Sequence, residues 1–203
     1  ARRVLGTYDS RMRVIKGVDP KTEGFETPRN IALGEATQDF ILWIDTDEKM
    51  LLPERLHKYL RRNTFQGYSI KQNHFAVDTT FDADLPVRLF RNNGALRFFG
   101  MIHEHPESEI NAGPGRMIVL NDAQIAHVGY LIEGGRQLRF NRNWPLLQAD
   151  IAKYPTRKLQ KHFIMRDNML ISTYELQQNG GKITPAIRAR AQQVIDLYRQ
   201  YFL

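Results

Sequence analysis

The chain has 203 residues, no cysteine, 42% hydrophobic and 25% charged residues, and a formal net charge of +7. That balance belongs to a globular chain long enough to bury a core, and the missing cysteine excludes a disulfide framework, a thiolate metal site and a thiol nucleophile. No signal peptide and no apolar run of membrane-spanning length occurs, while the basic charge suits phosphorylated ligands, anionic lipid or nucleic acid.

In chain order, "MRVIKGV" (12–18) predicts a short strand and "DPKTEG" (19–24) a turn. "TPRNIALGEA" (27–36) predicts a helix capped by Thr27, with Pro28 at its first position. "DFILWID" (39–45) reads as a strand covered on both faces, and "LPERLHKYLRR" (52–62) as a helix. Strands follow at "GYSIKQNHF" (67–75), "VRLFRN" (87–92) and "ALRFFG" (95–100), with "FDADLP" (81–86) as an intervening loop. "NAGPGR" (111–116) is a loop marked by Gly and Pro, and "MIVL" and "AQIAHVGY" are two further short strands. From about Glu133 the pattern turns helical: a segment interrupted at Pro145, a long helix over 156–178, a stop at "NGGK", and a last helix opened by Thr184 and Pro185. The expected organisation is an α/β core over 1–132 and a helical extension over 133–203.

The stretch richest in chemistry is "ILWIDTDE" (41–48), an apolar strand ending in three carboxylates. Ligands of α/β sheets bind beyond the carboxyl ends of strands, and residues two apart in extended chain point the same way. Asp45 and Asp47 are therefore candidate oxygen ligands for Mg²⁺ or Mn²⁺ bridging to phosphate. A lone D-x-D is a weak pattern, repeated here at Asp82-Ala83-Asp84, and carboxylates also decorate loops. Glu48 reads as an outward neighbour, Trp43 as a core residue, and His57, His74 and His162 as ordinary surface or packing residues.

The company of this motif carries a resemblance. "PRNIALGEATQDFILWIDTDEKMLLPERL", "RLFRNNGALRFFGMIHEHPE" and "IAHVGYLIEGGRQLRFNRNWPLL" resemble, in order, three blocks of family-2 glycosyltransferases, in the bacterial branch with R-L-F-R-N…G-x-x-H-E and H-x-G-Y. The resemblance covers roughly residues 26–153. It implies a GT-A type nucleotide-diphospho-sugar transferase fold, a mixed α/β sheet with a C-terminal helical extension. The implied reaction moves a sugar, with inversion, from a nucleotide-diphosphate donor, a UDP-sugar first among them, to an acceptor hydroxyl. By the same resemblance Asp45 lies near the donor's ribose or sugar, Asp47 ligates the metal, His127 joins the metal or phosphate, and Glu104 is the catalytic base. Arg29, Arg88 and Arg91 are candidate donor-binding residues, Arg88 and Arg91 facing opposite sides of a strand, and His103 is a further site candidate beside Glu104.

The family's opening blocks, V-S-x-x-x-x-x-N-E and D-x-G-S-x-D, do not occur in the chain. Self-association, or pairing with a segment that supplies them, is therefore expected. A non-catalytic interaction module that keeps the core and docks a partner through its helices is the alternative. Aromatics among basic residues also suit nucleic-acid stacking, but no recognised motif accompanies them, so no nucleic acid is expected. The expected location is the cytoplasm, including the inner membrane surface.

Overall fold

A computed structural model describes residues 17–61, 65–76, 80–94, 96–106, 116–131 and 135–203. The elements run α1 (Pro20–Glu23), α2 (Glu26–Gly34), β1 (Phe40–Leu42), β2 (Glu48–Leu51), a 3₁₀ turn (Pro53–Leu56) and α3 (His57–Leu60). They continue with β3 (Phe65–Ala76), β4 (Thr80–Asp84), β5 (Val87–Arg91), β6 (Arg116–Tyr130), α4 (Gly135–Lys153), α5 (Lys158–Gln178) and α6 (Pro185–Phe202). The sheet is mixed, in the order β1-β5-β3-β6-β2, with β4 pairing β3 beyond β5. β3 and β6 run parallel and every other pair is antiparallel.

The sheet is covered on both faces because its strands are apolar on both. Tyr68, Ile70, Leu89, Leu120 and Ile125 pack with Leu56 under the 3₁₀ turn and α3. Val87, Phe90, Leu96 and Phe98 pack with Leu33 of α2 on the other side. A third cluster joins Met101 and Ile102 to Leu146, Leu147 and Ile164, so the helical extension closes over the 101–106 segment. At about 25 cal/mol per Å² of apolar area, burying each of these large side chains stabilises the fold by roughly 2 kcal/mol.

Several elements differ from the sequence expectation. Thr27 sits inside α2, its hydroxyl donating to the Glu23 carbonyl at 2.8 Å, and the helix begins at Glu26 instead of Pro28. β1 is three residues long; Phe40 and Ile41 pack on opposite faces of the sheet, while Leu42 and, beyond the strand, Ile44 are exposed. The expected loop at 81–86 is largely strand β4, because His74 pairs with Phe81 and Gln72 with Asp84. The expected strand at 95–100 yields, in its described part, only a bridge between Phe99 and His105. β6 is one strand where two were expected: a bulge shifts its register on β3 from Ile70–Leu120 to Lys71–Gln124. Pro145 lies inside a continuous α4, and Thr184 caps α6 by accepting from the Ile187 N–H at 3.2 Å. The strand expected at 12–18 and the loop at 111–116 fall almost wholly outside the described residues.

Candidate active site

β1 delivers the chain to the D-x-D turn, and β2 carries it back along the edge of β6. Backbone bonds pin this turn. Glu48 N–H donates to the Asp45 carbonyl at 3.1 Å, and Val128 N–H donates to the Asp47 carbonyl at 3.0 Å. The Glu48 carboxylate accepts from the Asp45 N–H at 2.9 Å.

Glu48 is not outward. Its side chain is enclosed, with Arg88 and Gln72 both donating to one carboxylate oxygen. The cause is the register: Glu48 opposes His127, which opposes His74, so all three occupy one row across β2, β6 and β3. Burial pushes the Glu48 carboxyl up, against the pull of Arg88. Burial likewise lowers Arg88, against Glu48 and Asp45.

Two arginines flank Asp45. Arg29, from α2, donates to Asp45 at 2.7 Å and through its Nε to Glu104. Arg88 approaches the other Asp45 oxygen at 3.6 Å. Both guanidiniums lie over the Trp43 ring, at 4.2 Å and 3.6 Å from its centroid, while the indole N–H donates to the Val87 carbonyl at 2.8 Å. Trp43 is thus a core residue on one side and a platform for both cations on the other. Arg91 turns to the opposite side of β5 and lies over Phe40 at 4.7 Å.

Glu104 comes from the 101–106 segment, and its side chain is 6% exposed. Burial pushes its carboxyl up, opposed by the Arg29 guanidinium. The segment is held from several sides. Phe25 N–H donates to the Met101 carbonyl at 2.8 Å, and Met101 N–H donates to Asp150 of α4 at 2.7 Å. Asp150 also accepts from Arg157 at 2.7 Å, and Arg157 reaches the His103 carbonyl at 2.7 Å. Glu26 accepts from the Gly100 N–H at 2.5 Å and from Lys153 and Tyr154 at 2.6 and 2.8 Å. Gly100, at φ 120, leaves room for Arg157, whose guanidinium a Cβ there would meet at 2.2 Å.

His103 adopts a left-handed φ of 52 and stacks on Phe163 of α5 at 3.6 Å. It faces the helices, and burial holds its imidazole down at about 3, with the Arg166, Arg157 and Arg142 guanidiniums adding to the effect.

Asp47 meets His127 at 3.2 Å. Gly129 makes room for this pair, since a Cβ there would lie 2.2 Å from the Asp47 oxygen and 2.8 Å from the His127 nitrogen. Behind His127 stands His74, ring nitrogen to ring nitrogen at 2.7 Å, and His74 meets Asp84 at 3.0 Å. The sequence expectation left His74 as a packing residue and did not single out Gly129, Asp150 or Arg157. The H-x-G-Y spacing was the one local signal for Gly129; the others are joined by long-range pairing.

The structure therefore brings Arg29, Asp45, Arg88 and Glu104 together, sets Asp47 against His127, and leaves Arg91 and His103 facing elsewhere. Among the described residues no three His, Asp or Glu side chains converge as a metal-holding group. No helix among them is long and apolar enough to cross a membrane. No protein-family profile matches the chain, and no curated protein matches its sequence.

Proposed function

We propose that the chain is the core of an inverting, metal-dependent glycosyltransferase of the GT-A type. The observation that carries this reading is the meeting of three distant segments at one end of the sheet, where Arg29 ties Asp45 to Glu104 beside the Asp47–His127 pair. A UDP-sugar is the proposed donor and a hydroxyl the acceptor. Glu104, enclosed and pushed up by burial, suits a base that takes the acceptor proton while the hydroxyl oxygen bonds to the anomeric carbon and the bond to the diphosphate breaks. Arg29 orients that carboxylate and opposes the upward push of burial on it, and Arg29 and Arg88 supply positive charge toward the departing diphosphate.

Asp47 and His127 fit Mn²⁺ or Mg²⁺ as one hard oxygen and one imidazole, brought together where the glycine at 129 lets both side chains approach. The ion, when bound, supplies Lewis acidity and counter-charge to the leaving group. Asp45, taken up by two guanidiniums, is better suited to the donor's ribose or sugar than to the ion.

The enzyme is proposed to work in the cytoplasm or at the inner membrane surface, as a homo-oligomer or with a segment that completes the sheet beside β1. Nucleic acid is not a proposed partner. The support that the helical extension gives the Glu104 segment favours a catalytic chain over the non-catalytic interaction module. Calorimetry tests the reading. UDP is expected to bind saturably with Mn²⁺, and to lose that binding without the ion or in Asp47→Ala. Glu104→Gln is expected to keep donor binding and to slow transfer by about 100- to 10,000-fold. A folded chain that takes up no nucleoside diphosphate with Mn²⁺ would sink the proposal and leave the interaction module standing.

A further inference from the structure

The hairpin of α5 and α6 has a closed side and an open one. On the closed side Ile164, Ile171 and Ile187 are buried, Asn168 donates to Gln193 at 3.3 Å, and Arg190 pairs with Glu175. On the open side Lys158, His162, Arg166 and Leu170 recur every four residues along α5. Arg188, Ile195, Arg199 and Phe202 follow one another at spacings of seven, four and three along α6. Each set therefore forms one stripe on its helix. A cleft of about 480 Å³ joins the stripes, lined by Met165, Met169, Ile195 and Tyr198 together with His162, Arg166 and Arg199.

Four large apolar side chains of this face stay in water: Met169 is 60% exposed, Leu170 51%, Ile195 44% and Phe202 43%. The charge beside them is positive. Residues 158–203 hold seven Lys or Arg against three Asp or Glu. The three carboxylates are already engaged, Asp167 by Arg166, Glu175 by Arg190 and Asp196 by Gln192. Lys158, Arg188 and Arg199 are exposed, and among the described residues no carboxylate pairs with them.

An occupant of this face must be apolar and negative at once. A second copy in a twofold contact would set Arg166 and Arg199 against their own kind. A single acidic helix laid in the cleft would leave Leu170 and Phe202, which lie outside its lining, in water. A lipid surface covers cleft and flanks together, taking the apolar tips into the acyl boundary and setting the cations against phosphate. Tyr198 and Phe202 stack at 5.9 Å, an apolar pair with one polar tip that suits that boundary. The face also adjoins the Glu104 segment, because the Phe163 ring carries His103 at 3.6 Å and the Arg166 guanidinium at 4.4 Å.

We infer that the open face of α5 and α6 docks on an anionic phospholipid membrane. The inference deepens the membrane-surface part of the proposed function, and its test needs no donor nucleotide, so the two fail separately. The chain has no cysteine, so Ile195→Cys takes a single polarity-sensitive fluorophore. Its emission is expected to shift to the blue on vesicles of equal parts phosphatidylglycerol and phosphatidylcholine, but not on phosphatidylcholine alone. The same label at Lys21→Cys, on α1, is expected to stay unshifted. In co-sedimentation at low salt, Arg188→Gln and Arg199→Gln are each expected to weaken binding to the anionic vesicles by about five-fold. Phe202→Ser is expected to weaken it by about ten-fold. Lys21→Gln combined with Lys49→Gln removes as much charge elsewhere and is expected to leave it nearly unchanged. An equal loss in that remote pair, or an equal shift on neutral vesicles, overturns the inference. So does a label that ignores anionic vesicles; its response to an acidic amphipathic peptide instead would assign the face to a protein partner, and a shift that follows protein concentration alone would assign it to a second copy. Vesicle binding by a chain that takes up no UDP upholds the docking face and sinks only the transferase reading.

Discussion

His103 and Glu104 are neighbours whose surroundings push them in opposite ways. Glu104 turns toward Arg29 and the sheet, while His103 turns through a left-handed φ onto Phe163. A histidine held near 3 when folded and near 6.5 when unfolded makes the unfolded chain the better proton acceptor as the pH falls. Its cost is absent above about pH 6.5 and grows by about 1.4 kcal/mol per pH unit below that, down to about pH 3. Urea denaturation across this range is expected to show a slope that His103→Asn reduces. Asn tolerates the left-handed backbone and carries no titrating group. An unchanged slope would mean that His103 takes up its proton in the folded chain.

The segment that carries Glu104 has only the Phe99–His105 bridge as regular structure, so its position owes much to α4 and to the Arg157 that follows it, alongside Phe25. Asp150 has no exposed surface, and burial pushes its carboxyl up against the opposing Met101 N–H and Arg157. Arg157→Ala removes the partner of a buried carboxylate and frees the Ile102 and His103 carbonyls. The expected loss in chemical denaturation is about 3 kcal/mol. Asp150→Asn, which keeps an oxygen for Met101 N–H, is expected to cost less. Equal losses in both would mean that the ion pair does not hold the segment.

Such connections were hard to read from sequence. α6 announces itself by Thr184-Pro185, and β3 and β5 by their apolar content. Asn121-Asp122, left between two expected strands, belongs to the bulge at which β6 slips its register on β3. Asp45, Asp47, Glu104 and His127 were legible because each belongs to a local block. Glu48, His74, Asp150 and Arg157 owe their roles to residues at least seven positions away, and mostly far beyond, so no spacing marks them.

At the scale of the molecule, the expected division at 132 and 133 falls between parts that share a core. Met101 and Ile102 of the first part are buried among Leu146, Leu147 and Ile164 of the second. One cooperative unfolding transition is therefore expected. In Trp144→Phe, tryptophan emission reports Trp43 beside the sheet, while far-ultraviolet circular dichroism is dominated by the three long helices. Coincident midpoints are expected; separate midpoints would make the extension an independent unit. The edges of the sheet differ in character. β2 carries Lys49, a charge that discourages pairing, whereas β1 exposes Leu42, with Ile44 just beyond it.

The Arg29 and Arg88 guanidiniums that lie over the Trp43 ring also hold Asp45, so the indole senses the same charges that a bound anion would draw on. Anything that pulls Arg29 or Arg88 from the ring alters the electric field across the chromophore. The site thus carries its own optical reporter, in a chain whose one other tryptophan lies in α4.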